Sequence, residues 1–250
     1  MRFFLLLTLF FSSSLFALIS IAPVDIGSKR GFSGNISGSL GSKSGNTNKD
    51  DYSVGLRLQY DEGEDYLAWG TLTYNYGESE GIKNEDRTYA HLRAIHALYE
   101  KDWCGEFFLQ SEQDEFKDIN ERSLVGANVR WRFFNSENLV KGYAGLGVLA
   151  EKIDYSHPLV NPHENNTRIN SYIAYTKNFM ATSKLSYVGY YQPKMGDSSD
   201  YITAHDLELI VPIYEKLYLS VSAKYTYDSR PPLGIEKQDT MYKSALSWEF

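Results

Sequence analysis

Histidines beside carboxylates are the residues of this sequence whose types and spacing most resemble a catalytic set. His205 and Asp206 are adjacent, and a histidine oriented by a carboxylate is the general base of many hydrolases. The surrounding residues alternate between apolar and polar, which predicts a β-strand, and successive side chains of a strand point to opposite faces. We therefore expect the sheet to separate the two side chains, and we predict no catalytic pair here.

A second group of candidate residues lies in the longest predicted loop. His157 and His163 stand near Asp154 and Glu164, and these are residue types that ligate zinc. Their spacing within an irregular loop does not preset the geometry of a metal site, so we predict none.

The remaining motifs do not indicate an enzyme either. His91 and His96 lie on one predicted strand at an odd separation and therefore on opposite faces. The sequence contains no Gly-x-Ser-x-Gly nucleophile elbow. The run Gly145–Gly147 falls within a predicted strand, where glycine relieves crowding and does not cradle a phosphate. We predict no catalytic residue, no metal and no cofactor.

Composition excludes further classes of protein. The formal net charge is −7, so the chain has no basic footprint for nucleic acid. A single cysteine, Cys104, excludes an internal disulfide framework. Aromatic residues make up 15% of the chain, and 20 residues are tyrosines, which suits the two interfacial girdles of a membrane β-barrel.

The N-terminus predicts export. Arg2 precedes a short apolar stretch and a run of small residues that ends at Ala17, which is the layout of a secretory signal peptide. We predict residues 1–17 as a cleaved signal peptide, because Pro23 hinders a later cleavage site, and residues 18–30 as a short periplasmic segment. The alternative is an N-terminal membrane anchor, for which the apolar stretch is short, since a span needs about 20 residues.

A period of two in hydrophobicity predicts strands along the rest of the chain. Within Leu217–Tyr227 every second residue is apolar or tyrosine and most residues between them are polar, so the two faces of the strand differ. Many such segments have the length of a tilted membrane strand, about 9–11 residues. Twelve strands are predicted, near residues 31–42, 52–60, 66–77, 87–100, 103–112, 122–133, 139–152, 167–177, 180–192, 201–212, 216–228 and 239–250.

Loop lengths predict how the strands are arranged. Connections after even-numbered strands are short, whereas those after odd-numbered strands are longer and polar: residues 43–51, 78–86, 113–121, 153–166, 193–200 and 229–238. Outer-membrane barrels have short periplasmic turns and longer extracellular loops in this alternation. The predicted fold is all-β, a closed antiparallel transmembrane β-barrel of twelve strands over residues 31–250, with both termini in the periplasm.

The polar face of the predicted strands lines the lumen. It carries both signs of charge, on Arg93, Glu106, Gln110, Asn128, Arg130, Arg132, Asp206, Glu208, Lys224, Lys243 and Glu249. Eight-stranded barrels are filled by side chains and 16-stranded ones hold aqueous channels, so a barrel of twelve strands falls between them. We predict either a salt-bridged filling or a narrow polar pore.

The long loops are rich in carboxylates, among them Glu78, Glu80, Glu85, Asp86, Asp114, Glu115, Asp118, Asp197 and Asp200. Such loops can gather divalent cations at a lipopolysaccharide surface, but none has the spaced ligands and fixed glycine of a calcium loop. Loops kept in solvent by their charge are the simpler interpretation.

The last quarter of the chain carries its most specific motifs. A tyrosine-rich strand is followed by a Pro-Pro-x-Gly loop, a Lys-x-Asp-Thr segment and a terminal aromatic residue, which are Pro231, Pro232, Gly234, Lys237, Asp239, Thr240 and Phe250. Consecutive prolines fix φ, which predicts a rigid loop at the barrel rim. Phe250 resembles the terminal signal that the outer-membrane assembly machinery recognises.

With these motifs the chain resembles a family of outer-membrane β-barrels of unknown function that is named for salt-induced outer-membrane proteins. The glycine- and asparagine-containing stretch 34–46 is similar to the opening of that family, whereas the middle loops depart from it. The resemblance implies a barrel, a link to osmotic or ionic stress, and no catalytic residues.

These features predict a non-enzymatic barrel in the outer membrane of a Gram-negative bacterium, acting as a narrow pore or as a structural envelope protein. The expected partners are outer-membrane lipids, lipopolysaccharide and the barrel assembly machinery, with small ions or solutes as cargo. Two alternatives stay open: a hydrolase with its site in the extracellular rim, and a barrel that binds cations or another ligand at the surface.

Overall fold

The computed structural model describes residues 23–43, 49–136, 139–179 and 183–250. The strands of this part are β1 (Gly31–Lys43), β2 (Lys49–Asp61), β3 (Tyr66–Ser79), β4 (Ile82–Tyr99), β5 (Trp103–Asp114), β6 (Ile119–Ser136), β7 (Val140–Tyr155), β8 (Glu164–Phe179), β9 (Ser183–Lys194), β10 (Asp197–Tyr214), β11 (Leu217–Asp228) and β12 (Gln238–Glu249). The predicted signal peptide, residues 1–17, lies outside the described residues.

The twelve strands form one closed sheet. Each strand pairs antiparallel with its neighbours in the chain, and β12 pairs with β1. The predicted closed barrel of twelve strands is confirmed. A short 3-10 helix, Glu115–Lys117, connects β5 to β6. No helix within the described ranges has both the length and the apolarity needed to cross a membrane.

Alternation along each strand separates an apolar outer face from a polar inner face. In β6, Val125 and Val129 are 41% and 46% exposed, whereas Asn128 and Arg130 are 5% and 1% exposed. Lipid solvates the apolar outside of such a wall, and closure leaves no unpaired strand edge within it. The protein is therefore an outer-membrane β-barrel.

Aromatic side chains mark both ends of the outer face. Because the strand number is even, the start of β1 and the end of β12 lie at one end, which we call the terminus end; the opposite one is the loop end. Trp103 stacks on Trp131 near the terminus end, with 5.6 Å between ring centroids. Near the loop end, Tyr201 lies 5.7 Å from Tyr191 and 5.8 Å from Tyr227. Such rings sit at the level of the lipid headgroups.

The connections at the loop end are shorter than the sequence predicts. β3 and β4 continue through the predicted loop 78–86 and meet in the turn Glu80-Gly81, whose φ angles are 52° and 74°. β9 and β10 continue in the same way through the predicted loop 193–200 to Met195-Gly196.

The predicted strict alternation of loop lengths is therefore wrong at these two hairpins. Beyond the lipid both faces of a hairpin are polar, so the period-two signal disappears although the strands stay paired. The predicted loop 113–121 also shortens, to residues 115–118, whereas residues 156–163 and 229–237 remain longer loops. Residues 44–48 of the predicted loop 43–51 lie outside the described part of the chain.

The barrel closes along a short seam between β1 and β12. Asn35–Gly38 pair with Leu246–Glu249, and the seam is extended by hydrogen bonds of 3.1 and 3.0 Å between the backbones of Gly34 and Phe250. A Cβ atom at Gly34 would lie 2.6 Å from the Arg57 carbonyl oxygen, so this position requires glycine. Phe250 thus completes the wall of the barrel.

Candidate functional site

The polar interior of the barrel is the candidate functional site. Seven of the residues predicted to line it are buried: Arg93, Glu106, Asn128, Arg130, Asp206, Glu208 and Lys243. The other four are half-buried: Gln110, Arg132, Lys224 and Glu249. Arg93, Glu106 and Arg130 form a packed layer toward the terminus end, and Gln110, Asp206 and Lys224 line a cavity toward the loop end.

The packed layer consists of Arg93, Glu106 and Arg130, which occupy inward positions of β4, β5 and β6. Glu106 lies between the two arginines, 3.7 Å from Nη1 of Arg93 and 3.4 Å from Nη1 of Arg130. The hydroxyl of Tyr172, on β8, donates a hydrogen bond of 2.9 Å to Glu106. A buried carboxylate needs such partners, because an unpaired charge in the interior is costly.

Aromatic rings fill the space around these arginines. The guanidinium of Arg93 lies 5.5 Å from the ring centre of Trp69 and 5.4 Å from that of Phe108. Arg130 lies 5.3 Å from the ring centre of Tyr143. Cations over aromatic faces gain electrostatic attraction that grows when water is excluded, so the rings stabilise the charged layer, and they narrow the lumen.

Residues 23–30, which we call the plug, lie at the terminus end; residues 23–26 are buried or half-buried in the lumen, and residues 27–30 are exposed. Asp25 pairs with Lys141 at 2.6 Å and with Arg132 at 3.2 Å, and Arg130 donates a hydrogen bond of 3.1 Å to the carbonyl of Val24. Burial raises the pKa of Asp25, but the hydrogen bond from Lys141 and the nearby cations outweigh it and hold this pKa below its ordinary value of 3.8.

The plug is also anchored by apolar and backbone contacts. Ile26 packs in a cluster of buried side chains with Leu67 and Ile95. The backbone N–H groups of Gly27 and Lys29 donate hydrogen bonds of 3.0 and 3.1 Å to the carboxylate of Asp61. The sequence predicts this stretch only as a periplasmic segment before the barrel, and no periodic pattern indicates that it enters the lumen.

Toward the loop end, acids and arginines alternate around the inner wall. We call this row the ladder; its members are Arg87, Glu112, Arg122, Glu151, Arg168 and Asp200, on six different strands. Arg87 and Glu112 are 2.6 Å apart, Arg122 and Glu151 are 2.6 Å apart, and Arg168 lies 2.8 Å from both Glu151 and Asp200. Each charge is therefore neutralised by an opposite charge on another strand.

A cavity of about 230 Å³, which we call the vestibule, lies between the ladder and the packed layer. Its wall includes apolar side chains, such as Leu124 and Leu149, beside polar ones, such as His91 and Asp206. The loop 229–237, with Pro231 and Pro232, covers the loop end of this cavity.

Asp118 and Asn161 connect the loops of this end. The side-chain amide of Asn161 donates a hydrogen bond of 2.6 Å to Asp118, and its oxygen accepts one of 2.8 Å from the backbone N–H of Leu233. Burial raises the pKa of Asp118, but hydrogen bonds from Asn161 and His157 outweigh this effect and lower the pKa. The proline loop is thus held over the vestibule by a neighbouring loop.

A family model described as "Protein of unknown function, DUF481" matches residues 36–250. The chain belongs to this family. The match covers the barrel from β1 to the last residue, in agreement with the family of unknown function that the terminal motifs resemble. No curated protein matches the sequence.

Among solved structures the chain is similar to outer-membrane barrels. The KdgM porin is 9% identical over 88% of this chain and 99% of that chain, with a TM-score of 0.45. The NanC porin is 8% identical over 87% and 97%, with a TM-score of 0.47. The translocator domain of the autotransporter NalP from Neisseria meningitidis is 10% identical over 88% and 86%, with a TM-score of 0.46. These likenesses carry no information on function.

The histidine and carboxylate pairs considered for catalysis do not come together. Asp206 is buried, whereas the ring of His205 lies at the outer face and shares a hydrogen bond of 2.8 Å with the hydroxyl of Tyr187. His91 is buried and His96 is exposed. The geometry separates each pair as the strand alternation predicts.

The loop histidines form no metal site. His157 contacts Asp118 at 2.6 Å, and His163 is exposed. Glu164 accepts hydrogen bonds from Tyr155 and Asn166. Within the described ranges, no three residues of types His, Cys, Asp and Glu are grouped so as to hold a metal ion.

Sequence reasoning missed most of the ladder. Arg87 and Glu112 lie at the ends of predicted strands, but they have the same parity as Arg93 and Glu106 on those strands. Extending the inward parity toward the loop end would have identified them as interior residues.

Proposed function

We propose that the protein is a non-enzymatic outer-membrane barrel whose lumen is a narrow polar pore, closed at the terminus end by the plug. The observation that carries this proposal is that the plug lies inside the wall without being part of it. Asp25 of the plug forms ion pairs with Lys141 and Arg132 of the barrel wall. Such contacts can be broken without unfolding a strand.

The dimensions of the lumen limit what passes through it. A barrel of twelve strands is wider than the filled eight-stranded barrels and narrower than the 16-stranded porins. The packed layer of Arg93, Glu106 and Arg130 narrows it further. Small ions and solutes are therefore the proposed cargo. The terminus end faces the periplasm in this proposal, because outer-membrane barrels place their turns and termini there.

Conductance across a planar lipid bilayer tests the pore. The mature barrel and a variant that lacks residues 23–29 are inserted separately and recorded in the same salt. We expect several-fold higher conductance for the deletion variant, because the ion pairs of Asp25 and the apolar contacts of Ile26 no longer hold the terminus end closed. The Arg30→Gln variant, which changes an exposed side chain of the same segment, serves as a control and should conduct like the unmodified barrel.

Folding must be established before the conductance is interpreted. A folded barrel resists SDS without heating and shifts its mobility when boiled, so each variant is checked in this way first. A deletion variant that folds but does not conduct at any salt concentration would remove the pore from the proposal and leave a structural envelope protein.

A role in salt or osmotic stress is a further part of the proposal, supported by the resemblance of the terminal motifs. A deletion strain challenged with high salt, detergents and antibiotics tests it. Growth equal to that of the parent strain under every challenge would remove this role.

Assembly by the barrel assembly machinery, with Phe250 as the recognised signal, is also proposed. The backbone of Phe250 closes the seam, so truncation tests closure and recognition together. The Phe250→Ala variant keeps the two backbone hydrogen bonds to Gly34 and removes only the ring. A fall in the amount of folded barrel in cells, with unchanged refolding in detergent, is expected if the ring is a recognition signal.

A further inference from the structure

The vestibule contains buried polar atoms without partners. Nε2 of His91 and Oδ1 of Asp206 have no hydrogen-bond partner among the described residues, and the two residues are 3% and 7% exposed. Both line the vestibule. A third such atom is Nε of Arg93, which also lines the cavity. A buried polar atom without a partner is costly, so the presence of three in the wall of one cavity calls for a physical reason.

Aromatic rings lie beside His91. His91 stacks between Trp69, at 4.9 Å, and Phe108, at 6.2 Å between ring centres. Phe108 packs against Leu124 and Leu149 in one buried cluster. The wall of the vestibule therefore has an apolar part, with Phe108, Leu124 and Leu149, beside His91 on β4, and the carboxylate of Asp206 on β10.

Charges of both signs surround the cavity. Arg87 and Arg122 are already paired with Glu112 and Glu151 in the ladder. Lys224 stands opposite Asp206 in the register of β10 and β11. A ligand with a large net charge of either sign would meet charges of its own sign in this wall, which disfavours it.

We infer that the vestibule binds a small polyhydroxylated molecule of the saccharide class, one or two rings in size. Hydroxyl groups donate to the carboxylate of Asp206 and can either donate to or accept from His91. The C–H faces of a sugar ring are apolar and can pack on Phe108 and Leu149. A wholly apolar ligand would leave both polar atoms unpaired.

The size of the cavity and its cover agree with this ligand class. Pockets for drug-sized ligands have about 300–1,000 Å³, and the vestibule, at about 230 Å³, is smaller. Pro231 and Pro232 border it at the loop end, and the Asn161–Leu233 hydrogen bond holds their loop in place. A ligand would be enclosed between this loop and the packed layer. This inference does not depend on conduction, because a closed barrel can bind a ligand from the loop end.

Ligand binding to the folded barrel tests the inference. The full barrel is purified in an amine-oxide detergent, because the headgroup of a maltoside detergent is itself a sugar and would compete. Glucose and maltose are titrated by calorimetry and by saturation-transfer difference NMR, and leucine, a zwitterion with an apolar side chain, is the comparison compound. Saturable binding of at least one sugar, with leucine at least tenfold weaker, is expected.

Two conservative variants locate the site. Asp206→Asn keeps the shape of the side chain but removes the charge, and His91→Phe keeps a stacking ring but removes the nitrogen atoms. Each is expected to weaken sugar binding about tenfold or more. The matched controls are Asp50→Asn and His163→Phe, which change exposed residues outside the vestibule and should bind like the unmodified barrel. If either buried variant does not fold, Lys224→Met, at a half-buried position of the same cavity, replaces it.

The results that overturn the inference are distinct. Absence of saturable sugar binding to the folded barrel removes the site altogether, whatever its conductance. Binding that is unchanged in the vestibule variants places the sugar elsewhere and contradicts it as well. Leucine binding more tightly than either sugar excludes the saccharide class.

Discussion

The two ends of the lumen use the same residue types with different surroundings. At the packed layer, the side chain of Glu106 is fully enclosed and those of Arg93 and Arg130 are 3% and 1% exposed. In the ladder, the side chains of Arg87 and Arg122 are 12% and 16% exposed beside the vestibule. Alternating arginine and glutamate thus narrows the lumen where aromatic rings fill the remaining space, and surrounds a cavity where they do not.

The largest expected effect comes from removing one carboxylate from each region. Glu106→Gln removes the counter-ion that Arg93 and Arg130 share, and breaking a buried pair in this way costs about 3–5 kcal/mol. Glu112→Gln should cost less, about 1–3 kcal/mol, because Arg87 keeps Asp114 at 3.7 Å and Arg122 keeps Glu151 at 2.6 Å. The free energy of unfolding is measured by urea titration of barrels folded in lipid vesicles.

An exposed glutamate provides the control for these two variants. Glu121→Gln, on the same barrel wall, changes a side chain in solvent and should leave the free energy of unfolding nearly unchanged. Equal losses for Glu106→Gln and Glu112→Gln would contradict the distinction between an enclosed carboxylate and one with redundant partners.

The second expected effect is a dependence of closure on pH through Asp25. Its pKa is held below the ordinary value of 3.8 by Lys141 and Arg132, so its contribution to plug binding is complete above that value. It is lost as the pH falls through the lowered pKa. The other groups that face Asp25 are Arg130 and Tyr143, which keep their ordinary protonation in acid. The conductance of the unmodified barrel should therefore rise below about pH 4.

The Asp25→Asn variant separates this effect from a general acid response. It lacks the ion pairs at every pH, so it should already conduct more at neutral pH. Its conductance should not rise further in acid. An equal rise in conductance at low pH in the variant and in the unmodified barrel would show that another group controls closure.

The wall of the barrel is the part that the sequence predicts best. Lipid on one side and water or charge on the other impose a period of two, and this period identifies both the strands and the inward residues such as Arg130 and Asp206. This period-two pattern ends where the strands extend beyond the lipid. The hairpin around Glu80-Gly81 is paired in the structure, but both of its faces are polar and the pattern alone predicts a loop.

Contacts between distant segments are the part that the sequence does not predict. The ion pair of Asp25 and Lys141 joins residues 116 positions apart, and the Asp118–Asn161 bond joins residues 43 apart. Neither pair lies in a periodic pattern that specifies its partner. The plug and the Asp118–Asn161 contact can therefore be identified only once closure of the barrel brings these segments together.

The third expected effect concerns the cover of the vestibule. Asn161→Leu removes the hydrogen bonds to Asp118 and to the N–H of Leu233, and the net loss of about 1–1.5 kcal/mol corresponds to about tenfold faster opening. Amide hydrogen exchange of residues 229–237, followed by mass spectrometry, measures it. Asn165→Leu, at an exposed position of β8, is the matched control. Unchanged exchange in the Asn161 variant would contradict the role of Asn161 in holding the loop 229–237 in place.

The smallest expected effect is that of His157, although its ring lies as close to Asp118 as Asn161 does. The His157 side chain is 76% exposed, and exposed ion pairs contribute about 0–1 kcal/mol because water screens them. Its backbone carbonyl, which accepts from the N–H groups of Val160 and Asn161, is kept in His157→Gln. We therefore expect exchange of residues 229–237 to change less than about twofold. A change as large as that of Asn161→Leu would mean that the imidazole holds the loop as strongly as the buried amide does, because both variants leave these backbone hydrogen bonds in place.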